Sequence, residues 1–160
     1  MQITLGKRGD YAVRAVLDLA QHYGGGLRKT REIANAMHIP PAYLPQILAD
    51  LVRAGLLDAT AGRDGGYRLA RSPQAISLLE VVEAAEGPVD MVKECLLRDI
   101  PCGREGFCVA HDTWIGAQRA LARKLQATSF RQLAKGERRA AASGRGRIRG
   151  ADELRKRIAR

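Results

Sequence analysis

Three short stretches with a helical apolar period, then two β-type runs around a glycine-rich break, fill residues 11–70. From Tyr11 to about Tyr23 the residues Val13, Val16, Leu17 and Ala20 recur at i, i+3, i+4 and i+7, the stripe of an amphipathic helix. Gly24-Gly25-Gly26 ends it. Thr30 is placed to cap a second, short helix, with Glu32 in its first turn and Ile33, Ala34 and Met37 facing inward. His38-Ile39-Pro40-Pro41 reads as a turn, because Pro40 disfavours helical geometry at Ile39. A third helix carries Leu44, Ile47, Leu48, Leu51 and Val52 on one side. Pro45 fits it only in the first turn, where backbone N–H groups have no partners in any case, and Gly55 closes it. Leu56–Ala61 and Tyr67–Ala70 then flank Gly62-Arg63-Asp64-Gly65-Gly66, the pattern of a two-stranded hairpin. Three helices and a hairpin in this order predict a mainly α fold, a winged helix-turn-helix with a small β-hairpin wing.

Further along, Ser77-x-x-Glu80 has capping-box spacing ahead of a helix with Leu78, Val81, Val82 and Ala85 inward, and Gly87-Pro88 stops it. A long helix is expected from Asp112 through Gln126, carrying Trp114, Ala117, Leu121 and Leu125. Ser129-x-x-Gln132 caps a final short helix. After Ala134 the chain turns Gly/Arg/Ala-rich and is expected to be disordered. The division that follows is 1–75 for the winged helix, 76–134 for a cysteine loop and helices, and 135–160 for a basic tail.

Charge separates these parts. The net +10 comes as +4 in 1–75 (ten Lys/Arg against six Asp/Glu), −1 in 76–134 (seven against eight) and +7 in 135–160 (ten against three). A basic front half suits a polyanion, and the tail suits sequence-independent phosphate contact. In a winged helix the third helix enters the major groove, where Tyr43, Gln46, Ala49, Asp50 and Arg53 form the outward face. Gln46 suits an adenine edge, and Tyr43 a phosphate or a thymine methyl. Lys29 and Arg31 suit backbone phosphates, and Arg63 at the wing tip suits the minor groove. Arg53 serves equally to complement the dipole of its own helix. A protein-interaction role for the same three-helix unit is the competing reading.

Chemistry concentrates in one loop. Cys95, Cys102 and Cys108 lie inside fourteen residues, and the rest of the chain has no cysteine. Clustered soft thiolates can ligate zinc, copper(I) or an iron–sulfur cluster, and an odd number cannot all pair internally. Gaps of six and five residues differ from the tight knuckles of structural zinc, which favours a cluster and leaves zinc or a Cys102–Cys108 thiol switch open. His111, three residues after Cys108, is the local candidate for a fourth ligand. Asp10 is the distant candidate, arriving from a second subunit, and otherwise an N-cap of the first helix. No apolar run approaches a membrane span and no signal-peptide core opens the chain, so a cytoplasmic location is expected. No dinucleotide fingerprint or nucleophile–base arrangement is visible, which speaks against an enzyme or a small-molecule substrate.

Asp10-Tyr11-Ala12-Val13-Arg14-Ala15, Pro41-x-Tyr43-Leu44-x-Gln46-Ile47-Leu48, Ala54-Gly55-Leu56-Leu57, Gly65-Gly66-Tyr67-x-Leu69-Ala70-Arg71 and Glu86-Gly87, together with the three cysteines, resemble the Rrf-type winged-helix transcription regulators of the IscR, NsrR and RirA kind over about residues 1–134. The resemblance implies a homodimer joined along the helix after the cysteine loop, bound to a palindromic double-stranded DNA operator. It also implies repression controlled by an iron–sulfur cluster that senses redox state, nitric oxide or iron and cluster status. Cys95, Cys102 and Cys108 are its implied ligands. Cys108-x-x-His111 followed by Trp114 implies a [2Fe-2S] site completed by the histidine, while Asp10 occupies a position that implies a [4Fe-4S] alternative.

Overall fold

The computed structural model describes residues 5–88 and 110–142, so the three cysteines and residues 143–160 lie outside the described residues. Helix α1 (Lys7–Gln21) is the post of the fold. From Arg14 to Ala20 every residue is buried, because neighbours cover α1 on several sides. Against it pack α2 (Thr30–Met37), α3 (Leu44–Arg53), α4 (Leu78–Glu86) and α6 (Phe130–Ala142). The core they enclose is centred on Val16, Ile33, Leu44, Leu48, Leu51, Ile76, Val81 and Phe130, all nearly or wholly inaccessible. Each such side chain contributes roughly 1.5–3 kcal/mol by leaving water.

The wing pairs β1 (Leu57–Thr60) with β2 (Gly66–Leu69), antiparallel, with Leu57 opposite Leu69 and Thr60 opposite Gly66. Two backbone bonds of 2.9 Å between Arg28 and Tyr67 tie the segment before α2 to the outer edge of β2. That close approach explains a glycine: a Cβ at Gly66 would lie 2.7 Å from the Arg28 carbonyl oxygen. Gly55 ends α3 in the left-handed region (φ +68°), which lets the Leu56 N–H return to the Leu51 carbonyl at 3.0 Å.

The capping box at α4 forms as its spacing predicts. The Glu80 N–H donates to Ser77 Oγ at 3.2 Å, and the Ser77 N–H donates to Glu80 Oε2 at 2.8 Å. Burial pushes the Glu80 carboxyl up, but the Ser77 backbone, Arg71 and the Ser77 hydroxyl together hold it below its ordinary value. Helix α5 (His111–Gln126) packs on α4, and the chain then returns beside the start of α4, where Phe130 N–H meets the Ile76 carbonyl at 3.0 Å. Among the described residues this makes six helices and one hairpin.

Three local expectations are corrected. Thr30 is the first residue of α2 and Lys29 precedes it as N-cap; Glu32 does the capping by accepting the Lys29 N–H at 2.8 Å. Asp10 is not the cap of α1, which begins at Lys7 with Gly6 before it. Residues 135–142 are helical rather than irregular, because α6 runs on to Ala142. Its later turns are held to α1 by Gln21, whose side chain bonds Glu137 and whose carbonyl accepts from Arg138 at 2.6 Å.

Candidate nucleic-acid interface

The turn between α2 and α3 is set by His38, in the left-handed region (φ +52°), and by the Ile39 N–H, which reaches back to the Ala34 carbonyl at 2.9 Å. Histidine adopts this region more readily than most residues. Arg14, almost wholly buried in α1, donates to the Met37 carbonyl at 3.4 Å and so fixes the end of α2 against α1. Pro45 falls in the first turn of α3, as its chemistry requires.

Helix α3 buries Leu44, Ile47, Leu48 and Leu51 and leaves Pro45, Gln46, Ala49 and Arg53 outside. Tyr43, immediately before it, is 59% exposed. Its ring stands 6.0 Å from that of Tyr11, which lies beneath the Arg14 guanidinium. The expected outward position of Asp50 is corrected: only 6% of the residue is exposed, because Arg8 reaches over it from the first turn of α1. Arg53 also donates to Asp50, as does Gln46 Nε2 at 3.2 Å. One carboxylate thus organises two candidate DNA contacts, Gln46 and Arg53, and a second cation, Arg8, that sequence reasoning missed. A local period cannot show Arg8, which lies 42 positions away.

The wing brings together two other expected contacts. Lys29 Nζ donates to the backbone carbonyl of Arg63 at 3.2 Å, joining the start of α2 to the hairpin tip. Arg63 and Arg31 are both exposed. At the root of the wing, Arg28 grips Asp18 through two parallel bonds of 3.0 and 3.1 Å. Hydrogen bonding to Asp18 raises the Arg28 guanidinium above its ordinary value, against burial, which lowers it. Asp18 is 1% exposed, and a lone acid inside the run Ala15-Val16-Leu17-Asp18-Leu19-Ala20 was the signal for this pair.

Of the candidate ligands, Cys95, Cys102 and Cys108 lie outside the described residues. His111 is the first residue of α5 and half-buried. The Asp10 carboxylate is held by Arg14, one helical turn on, at 3.0 and 2.5 Å. The cysteine segment leaves the described fold just after Glu86, whose carboxylate accepts the Gly9 N–H of α1 at 3.1 Å.

Residues 5–136 match the family described as "Rrf2: Iron-dependent Transcriptional regulator". The chain belongs to the Rrf2 family. A Mycobacterium tuberculosis protein named as an HTH-type transcriptional regulator is 33% identical over 129 residues, covering 81% of this chain and 80% of the relative. CymR of Bacillus subtilis is 31% identical over 127 residues, covering 79% of this chain and 86% of CymR. Its solved structure, that of the global cysteine regulator, superposes with a TM-score of 0.69 and 26% identity over 84% of this chain and 98% of that one. IscR of T. potens superposes with a TM-score of 0.68 and 29% identity over 85% and 89%. This Rrf2-family chain is a helix-turn-helix transcription regulator that binds DNA, and not an enzyme. Among the described residues no helix is long and apolar enough to cross a membrane.

Proposed function

We propose that this chain is a cytoplasmic, dimeric repressor that reads a palindromic operator with α3 and the wing, and that an iron–sulfur cluster on Cys95, Cys102, Cys108 and His111 sets its grip. The donor set fits such a group: three soft thiolates, with an imidazole at the first residue of α5. The fourth ligand favours a [2Fe-2S] form. Asp10, the alternative that would suit a [4Fe-4S] form, already spends its carboxylate on Arg14. A bound cluster would supply a centre that reacts with oxidants or nitric oxide and responds to iron supply. Helix α5 fits the dimer role, since it buries only Ile115 and Ala122 in its own chain and leaves Leu121 exposed.

The observation that carries the control is the Glu86 contact. The cysteine segment begins beside the residue that caps α1 at Gly9, and Arg8, next to Gly9, holds Asp50 of the reading helix. Movement of the segment that withdraws Glu86 would disturb the first turn of α1, and with it the carboxylate that positions Gln46 and Arg53.

A cluster-free regulator in which Cys102 and Cys108 form a disulfide on oxidation is the second reading, favoured by the likeness to CymR. Anaerobic purification followed by iron, zinc and acid-labile sulfide analysis separates the two. The cluster reading expects iron and sulfide with visible absorption, all lost in Cys102→Ala while the far-ultraviolet circular dichroism is kept. A colourless protein, or one loaded with zinc, would contradict it.

A further inference from the structure

Between the C-terminal end of α1, the loop after β2 and the outer face of α6 lies a cleft of about 310 Å³. Arg131, Lys135 and Arg138 line it, spaced i, i+4 and i+7 so that they stand in one row along α6. Among the described residues no carboxylate lines it. Elsewhere Arg8, Arg14, Arg28, Arg53, Arg68 and Arg71 each face an aspartate or glutamate. In the cleft the guanidiniums are held by neutral acceptors instead. Arg131 donates to Gln74 Oε1 at 2.6 Å, and Arg138 to the Gln21 carbonyl at 2.6 Å. Such partners fix direction without cancelling charge. The nearest acid on the helix, Glu137, is bonded to the side chain of Gln21. The Lys135 side chain is exposed, and its ammonium makes no ion pair or hydrogen bond among the described residues. Three like charges in a row destabilise a helix face unless an anion neutralises them.

We propose that this cleft is a binding site for a phosphate group. Two guanidinium forks and one ammonium point charge suit an oxyanion with several acceptor oxygens. The volume, at the lower end of the range for small-molecule sites, admits a phosphate carrying a small organic body. A phosphorylated small molecule and the backbone of a DNA duplex share this chemistry. The inference rests on the cleft alone and is independent of the cluster and of base reading.

The test is titration of inorganic phosphate into the full chain at constant ionic strength, balanced with chloride and followed by amide chemical shifts. Saturable shifts centred on Ser72, Gln74, Arg131 and Lys135 are expected. Lys135→Glu should weaken them by about tenfold or more, the size of one lost charge-assisted hydrogen bond. Shifts that never saturate, that appear equally at Lys29, Arg31 and Arg63, or that survive Lys135→Glu unchanged, would overturn the site. Binding of the same variant to a duplex of arbitrary sequence identifies the source. A weaker affinity with a salt slope reduced by about 0.9 supports the site with a DNA phosphate as its occupant. Unchanged duplex binding beside lost phosphate binding supports the site with a free phosphorylated molecule as its occupant.

Discussion

Gln46→Ala is expected to weaken operator binding by roughly thirtyfold or more, since a lost bidentate base contact costs about 1–3 kcal/mol and a palindrome counts it twice. The fold should not suffer, because Gln46 is exposed and its bond to Asp50 is one of three that the carboxylate accepts. A base contact displaces no condensed counterion, so the salt dependence should stay as it is and binding to random duplex should barely change. Arg63→Ala is the internal control. As a backbone or minor-groove cation at the wing tip, it should weaken binding to every sequence and flatten the salt dependence. Anisotropy titrations of both variants on operator and scrambled duplexes, at several salt concentrations, check the contrast. An equal loss on both duplexes for Gln46→Ala would remove it as a reader.

The largest expected effect on stability belongs to Arg28→Ala. Removing this side chain leaves the Asp18 carboxylate, 1% exposed, without the fork that satisfies both oxygens. An uncompensated buried charge costs about 3–5 kcal/mol, and the partial exposure of Arg28 argues for the lower end, or a melting temperature lowered by roughly 10 °C. Among the described residues His22, whose ring nitrogen lies 3.6 Å from Asp18, is the one other group able to carry positive charge beside it, and it recovers only part of the loss when protonated. The second variant decides the mechanism. Adding Asp18→Ala removes the stranded charge, so the double variant should melt above Arg28→Ala alone. If it melts lower still, the loss came from packing rather than from charge. The Arg28 fork to Asp18 also anchors the backbone that bonds Tyr67, so the single variant, which keeps both backbone bonds, should loosen the root of the wing and weaken DNA binding beyond what its charge explains.

The architecture was legible because apolar period and punctuation agree at each step: Leu44, Ile47, Leu48 and Leu51 face inward, Pro45 sits in a first turn and Gly55 takes a positive φ. What a local pattern cannot carry is contact across the chain. Asp50 shares a helical face with Gln46 and Arg53, yet it is buried because Arg8 covers it. Asp18 lies off the narrow stripe expected of α1, and it is buried because other elements surround that helix. The Arg/Ala/Gly composition after Ala134 resembles an irregular tail, but Glu137 and Arg138 find Gln21 on α1 and keep the helix going. At the interface, residue types pointed to Lys29 and Arg63 separately, and only the fold joins them. The cysteine loop offers only its donor atoms to the sequence reading, and Cys95, Cys102 and Cys108 lie outside the described residues.

Control of DNA binding by the thiolate-held cluster is tested most directly by one titration. Its ligand is a duplex selected from random sequence by the protein itself, measured anaerobically with the cluster-loaded chain and again after the cluster is removed by chelation. The account predicts a clear change in operator affinity on removal, absent from Cys102→Ala and diminished in Glu86→Ala, where the link from the cysteine segment to α1 is cut. Equal affinities for the loaded and stripped wild-type protein would contradict it.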